Sequence, residues 1–501
     1  MSNFLIGIEA VFQWESLLAL GGGVLWGTIG GMIPGINATI AMALLLPFTW
    51  GMNPATAVFM LAGVYCGGEY GGSIPAVLIG TPGTNAASCT VFDGYELHKQ
   101  GKTGVALYAS LLASVSGGLI GAFVLMLVAI PLASVALAFG PAEYFALAAV
   151  GLTLICSLGE ENVLKGIWAG LLGILLSTIG FDPFAGIPRL TFDVISLSDG
   201  LKMIPLMMGL FAVSEVFRQA MTLSATGSKT VLEEKTDTSF PSWSMIKKWI
   251  PCNVLSSLLG VVIGAMPGAG ATVAAFLSYT GVKKLSRNPD SFGKGNPLGI
   301  VAPESANNAV TGGAMVPLLA LGIPGSNSTA IMLGALIIHN VNPGPMLFLN
   351  NPEIPYGIFI SLFVANIFLF FAGLLCIKFA IKITNISKPA LLAVIIALVF
   401  TGSYAYSGEI FDIGVALACG LLGLSMRKGK LPHAATVLGF VLGFIMEANL
   451  RRALIVSRGS YWNVFFNSPI STVLCVIGII SVLWALLRPL FKKSKLAGCG
   501  S

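Results

Sequence analysis

The chain has 501 residues, of which 55% are hydrophobic and 10% charged, against about 25% charged in a soluble domain. A soluble fold of this size could not keep its surface hydrated with so few charges. The formal net charge of +6 sits in short basic clusters between apolar runs, which is the positive-inside pattern of a membrane protein rather than a nucleic-acid signature.

Residues 1–98 contain no Lys or Arg, so the first apolar run, 17–33, lacks the basic flank of a secretory signal and reads as retained. Further apolar runs near 105–137, 144–158, 166–179, 201–217, 358–381, 389–404, 413–426, 433–446 and 472–487 approach the about twenty residues that a bilayer requires. Main-chain polar groups in lipid must be satisfied within the chain, so these runs predict helices. The short alternating strands of a barrel are absent from the sequence. The expected fold is an all-α polytopic membrane protein with about 10–14 membrane segments, broken or re-entrant helices included. Residues 1–220 read as a first membrane repeat, 221–248 as a polar cytoplasmic linker, 249–489 as a second repeat and 490–501 as a basic cytoplasmic tail.

The repeat rests on four helix-breaking motifs. Gly31-Met32-Ile33-Pro34-Gly35-Ile36-Asn37-Ala38-Thr39 is matched by Gly264-Ala265-Met266-Pro267-Gly268-Ala269-Gly270-Ala271-Thr272, and Gly80-Thr81-Pro82-Gly83-Thr84-Asn85 by Gly322-Ile323-Pro324-Gly325-Ser326-Asn327. The paired prolines stand 233 and 242 residues apart, which implies an internal duplication. Only Glu9 and Glu15 flank the first break, whereas Lys247, Lys248, Lys283, Lys284 and Arg287 bracket its counterpart. After the second break the bias reverses, with Lys99 and Lys102 in the first half and Glu353 in the second. Exchanged charge on matching flanks implies an inverted repeat. Arg451, Arg452 and Arg458 have no obvious place in this scheme.

Proline removes a donor and clashes with the preceding turn, and glycine permits a reversal, so each motif should split a helix. The half-helix that follows begins with free N–H groups and a partial positive charge, able to hold an anion without a buried cation. Candidate substrate-binding residues are therefore Pro34, Gly35, Asn37, Thr39, Pro82, Gly83, Thr84, Asn85, Pro267, Gly268, Gly270, Thr272, Pro324, Gly325, Ser326, Asn327 and Ser328. The alternative is close helix packing through small residues. Glu69 and Glu304 lie inside apolar stretches, where an ionisable group is costly. With Ser73, Asn307 and Asn308 they are candidates to hold a coupling ion, sodium or a proton, or else they stabilise the hairpins. Glu215 with Arg218 and Glu447 with Arg451 and Arg452 have helical pairing distance and read as structural. His98, His339 and His433 form no metal-binding pattern, Gly101-Lys102-Thr103 lacks the leading glycine of a phosphate loop, and Asp93, Asp182, Asp193 and Asp412 fall near span ends or in loops. No cofactor or metal is expected, and nothing in the pattern calls for an enzyme.

Taken together these motifs resemble the large membrane subunit of tripartite tricarboxylate transporters, the TctA family. The block 31–102 is similar to its first signature region, with Phe92-Asp93-Gly94-Tyr95 and Gln100-Gly101-Lys102. The block 264–345 is similar to its second, with Phe292-Gly293-Lys294-Gly295, Ala302-Pro303-Glu304-Ser305-Ala306-Asn307-Asn308-Ala309 and Asn342-Pro343-Gly344-Pro345. The first motif departs at Asn37, where a small residue or glycine is expected. The resemblance implies a permease in the bacterial inner (cytoplasmic) membrane. It would import a small organic anion, a tri- or dicarboxylate or related carboxylate, by symport with an ion. A small four-span membrane subunit and a periplasmic solute-binding protein would be its partners. An anion channel and a membrane-embedded enzyme are the alternative classes.

Overall fold

The computed structural model describes residues 2–33, 36–158, 163–182, 184, 186–223, 239–267, 270–384, 388–466, 468–476 and 478–480. Pro34, Gly35 and Gly268, most of the linker and the basic tail lie outside the described residues. The chain opens with α1 (Ser2–Val11), α2 (Trp14–Met32), α3 (Ala38–Leu45), α4 (Pro54–Gly71), α5 (Ser73–Ile79), α6 (Ser88–Lys99) and the long α7 (Thr103–Ala136). Then follow α8 (Pro141–Leu158), α9 (Val163–Ser177), a two-stranded antiparallel hairpin that pairs Gly180 with Arg189, and α10 (Met203–Met208). A π-turn at Gly209–Val213 joins α10 to α11 (Ser214–Leu223). The remainder is α12 (Trp243–Ala265), α13 (Gly270–Leu285), α14 (Leu298–Leu321), α15 (Asn327–Ile338), α16 (Leu347–Asn350), α17 (Glu353–Thr384), α18 (Lys388–Ser407), α19 (Ile410–Lys428), α20 (His433–Val456) and α21 (Tyr461–Phe466).

The fold is that of an all-α polytopic membrane protein. Among the described residues four helices are long and apolar enough to cross a bilayer, at Thr103–Ala136, Trp243–Ala265, Glu353–Lys378 and Ile410–Lys428, and α1 with α2 forms a further apolar unit bent by 69°. Shorter apolar helices, among them Asn327–Ile338 and Pro469–Ile480, complete the set, as breaks within spans should produce. At the centre stand α4 and α14, buried along nearly their whole lengths. Helices α2 and α17 pack on α4, while α7, α12 and α13 pack on α14, and α17 also reaches α7. Helices α8, α9 and α20 form a second cluster, and α10, α11, α18 and α19 a third. Helices α3 and α15 lie between these groups and touch each other. Small residues do allow close approach, as the packing alternative requires. Gly27 and Gly31 of α2 lie against the main chain of α4, with no room for a Cβ.

Two of the breaks are built alike. Gly80 and Gly322 end α5 and α14 with φ of 65° and 74°, the left-handed cap that a residue without Cβ adopts at least cost. In each case the following N–H, of Thr81 or Ile323, folds back to the carbonyl of Pro75 or Pro317. Three residues past each cap, a Cβ on Gly83 would meet the Gly31 carbonyl oxygen at 2.0 Å and one on Gly325 would meet that of Gly264 at 2.5 Å. Those two carbonyls belong to the ends of α2 and α12, so in both halves one break is seated directly on the other.

Buried polar contacts join the halves. Asp93, expected near a span end, instead lies inside α6 and is fully buried. Its carboxylate accepts the N–H groups of Gly293, Gly295 and Asn296 at 2.7–3.0 Å and the Tyr279 hydroxyl at 3.0 Å, which ties the 293–296 turn and α13 to α6. Arg451 also finds its place. It pairs with Glu447 at 2.6 Å and Asp182 at 2.8 Å, and Arg189 meets Glu447 at 2.8 Å, so the hairpin is clamped onto α20. The helical pairing expected of Glu447 and Arg451 is present.

Replacing Asp93 by Ala strands three N–H donors that had a charged acceptor, each such bond being worth about 1.5–3 kcal/mol. D93A is expected to lose about 3 kcal/mol or more of stability and D93N less, read as lowered unfolding midpoints in detergent. An unchanged midpoint for D93A would show that the clamp is dispensable.

Candidate functional site

The residues after the four breaks meet around one cavity of about 860 Å³, within the range of small-molecule sites. Asn37, Ala38, Thr39 and Ile40 line it from the start of α3, Gly83 to Ala86 from the turn before α6, Gly270 to Val273 from the start of α13, and Ser326, Asn327 and Ser328 from the start of α15. These include Asn37, Thr39, Gly83, Thr84, Asn85, Gly270, Thr272, Ser326, Asn327 and Ser328 of the expected set. Pro82, Pro267, Pro324 and Gly325 do not line the cavity.

The tips are capped by their own side chains. Asn37, the residue that departs from the family pattern, accepts the Ile40 N–H at 2.9 Å and so caps α3. Ser326 and Thr329 form a reciprocal capping box at α15, with the Ser326 N–H on the Thr329 hydroxyl at 2.8 Å and the Thr329 N–H on the Ser326 hydroxyl at 3.2 Å. Helix geometry leaves the N–H groups ahead of these, on Ala38 and Thr39 and on Asn327 and Ser328, without an intrahelical acceptor. Thr84 accepts the Ala87 N–H at 3.3 Å. Asn85 and Asn327 are exposed at the tips. The two halves meet where Thr39 and Ser328 hydroxyls lie 3.0 Å apart and the Tyr65 hydroxyl lies 2.9 Å from that of Ser326.

Of the coupling-ion candidates, only Glu69 lines the cavity. Asn307, just behind, donates to the Glu69 carbonyl at 3.0 Å, while its own amide oxygen and both polar atoms of the Asn308 amide are buried with no hydrogen-bond partner among the described residues. Glu304 is 1% exposed and accepts from Ser114 at 3.0 Å and from Thr90. Ser73 donates to the Tyr70 carbonyl at 2.8 Å and lies 2.6 Å from the Ser110 hydroxyl.

The rest of the lining was not legible as a site. It comprises Phe211 in the π-turn, Glu215 and Arg218 of α11, Arg427 at the end of α19, Lys430, Leu431 and Pro432, and His433 at the start of α20. Glu215 and Arg218 do pair as their helical spacing suggests, yet they also face the cavity. The available signal was the basic run Arg427-Lys428-Gly429-Lys430 at a span end, which reads equally well as a topogenic cluster. Three cations against Glu69 and Glu215, together with the positive ends of α3, α13 and α15, make the chamber favourable to anions.

The tripartite tricarboxylate transporter TctA family matches residues 17–438. An uncharacterized 52.8 kDa protein in the TAR-I ttuC' 3' region of Agrobacterium vitis is 36% identical over 98% of this chain and 97% of its own length. An uncharacterized protein in the TAR-II ttuC' 3' region of the same organism is 36% identical over 47% of this chain and 96% of its own. No solved structure matches. The chain is a multi-pass membrane protein that belongs to the tripartite tricarboxylate transporter TctA family, and thus to a transport system of several subunits.

Proposed function

We propose that this chain is the permease subunit of an ion-gradient-driven importer of small organic anions, tri- or dicarboxylates, in a bacterial inner membrane. A periplasmic binding protein would deliver the substrate and a small four-span subunit would accompany the permease. The observation that carries the reading is the convergence of all four broken-helix tips on one polar cavity. A substrate carboxylate there would accept the N–H groups that capping leaves over at α3 and α15. Asn85 and Asn327 would add amide donors.

In this reading the halves are inverted repeats. Helices α6 and α13 run from the cavity toward Lys99 and toward Lys283, Lys284 and Arg287, the face taken as cytoplasmic by the positive-inside pattern. Helices α3 and α15 would run the other way; just past their ends Thr49 and His339 lie 3.1 Å apart. Arg427 and Lys430 line the cavity and in this reading mark its cytoplasmic opening, with the contacts between α3 and α15 closing the other side, an inward-facing arrangement. Alternating access would move the hairpin unit of α3, α6, α13 and α15 with its central helices against the remaining spans. Glu69, Ser73, Glu304, Asn307 and Asn308 would hold the coupling cation, sodium or a proton, beside the anion. The unpartnered amide atoms of Asn307 and Asn308 suit that role.

Replacing Asn85 or Asn327 by Leu should reduce uptake of the transported acid by about tenfold or more, since a charge-assisted donor is exchanged for an apolar group, with membrane insertion intact. Normal uptake by both variants would remove them from the site. Vesicles carrying the whole transport system should accumulate the acid above its outside concentration, and an ionophore should collapse the accumulation. Entry that only equilibrates the acid would indicate a channel instead.

A further inference from the structure

The transport scheme above gives the cationic residues only a general attraction for anions, yet their hydrogen bonding is uneven in a way that points to a ligand. Glu215 is 3% exposed and is the shared acceptor of the cluster. Arg218 grips it in a fork, with Nε at 3.0 Å from one oxygen and Nη2 on the other, Gln219 donates at 2.8 Å, and Arg427 Nη1 lies 3.1 Å away. One carboxylate thus serves two guanidiniums and an amide. Arg427 is the group left short. A guanidinium has five N–H donors; this one meets Glu215 through Nη1, while its side chain is 32% exposed and lines the cavity. A cavity-facing guanidinium with donors to spare is the natural complement of a second carboxylate.

We propose that Arg427 is the second anchor for the substrate, which therefore carries at least two carboxylates. This rests on the anion site proposed above. One carboxylate sits at the broken-helix tips, and another takes the exposed donors of Arg427, elsewhere in the lining of the same cavity. Glu215 is the standing counter-ion. It positions Arg427 in the empty site and, by sharing its charge, keeps a single carboxylate from binding there strongly. A monocarboxylate then gains only the tips. Discrimination by charge number resides in α11 and α19 rather than in the Pro-Gly motifs.

The test is calorimetric binding of citrate, succinate and acetate to the full chain in lipid nanodiscs. Wild-type protein should prefer citrate and succinate to acetate. Arg427→Gln should weaken citrate and succinate about tenfold or more, as loss of a charged hydrogen-bonding pair predicts, and leave acetate unchanged, with Arg427→Lys intermediate. Glu215→Gln, of nearly equal volume, should tighten citrate binding, an effect opposite in sign to a folding defect. An Arg427→Gln variant that keeps the wild-type ratio of citrate to acetate affinity, while Asn327→Leu abolishes binding of both, overturns the role of Arg427 and leaves the tip site standing. Equal weakening by Arg427→Gln and Glu215→Gln also overturns it, since the cluster is then only cement between α11 and α19. Wild-type protein that binds none of the three acids, or Asn327→Leu that binds as wild type does, overturns the tip site and this inference with it.

Discussion

A helix broken inside a membrane leaves main-chain N–H groups that lipid cannot satisfy, and this constraint organises the molecule. The groups must face either protein acceptors or a wet chamber. Here both solutions appear side by side. Asn37 caps α3, Ser326 and Thr329 cap α15, and Thr84 accepts an N–H in the turn before α6, and the tips open on a shared cavity. The same constraint explains why α3 and α15 are short and why the helices around them must be supported on every side.

Support comes from contacts that leave no space for side chains. Gly83 on the Gly31 carbonyl and Gly325 on the Gly264 carbonyl set each second break on the first, so the tips cannot drift apart independently. Asp93 fastens the 293–296 turn and α13 to α6 by main-chain hydrogen bonds, and the Thr39–Ser328 and Tyr65–Ser326 contacts tie α3 and α4 to α15. A chamber assembled from four separate segments is therefore held by cross-links that are themselves buried and polar. Such contacts are worth more in a low-dielectric setting than in water and are costly to leave half made.

Much of this was legible in the sequence. The apolar runs announce the spans, and the four Pro-Gly motifs locate the breaks, because a proline followed by glycine has a local mechanism that needs no knowledge of the fold. The small polar residues behind each break mark the cavity for the same reason. The cationic part of the lining was not legible. Phe211, Glu215, Arg427 and His433 reach the tips only through tertiary packing of α11, α19 and α20, and a basic run at a span end looks the same whether it sets topology or faces a substrate. The Glu447–Arg451 pair was legible from its helical spacing, but the part that Asp182 and Arg189 add was hidden, since Arg189 and Glu447 lie more than 250 residues apart in sequence. Asp93 was misjudged because a carboxylate that accepts main-chain donors from a distant turn has no local signature.

The central claim is that main-chain dipoles at the broken helices hold the negatively charged guest. A cryo-EM structure of the chain with citrate bound tests it most directly. The account places a carboxylate within hydrogen-bonding distance of the N–H groups that open α3 and α15. Density for citrate anywhere else, with those tips dry or closed by protein, would contradict it.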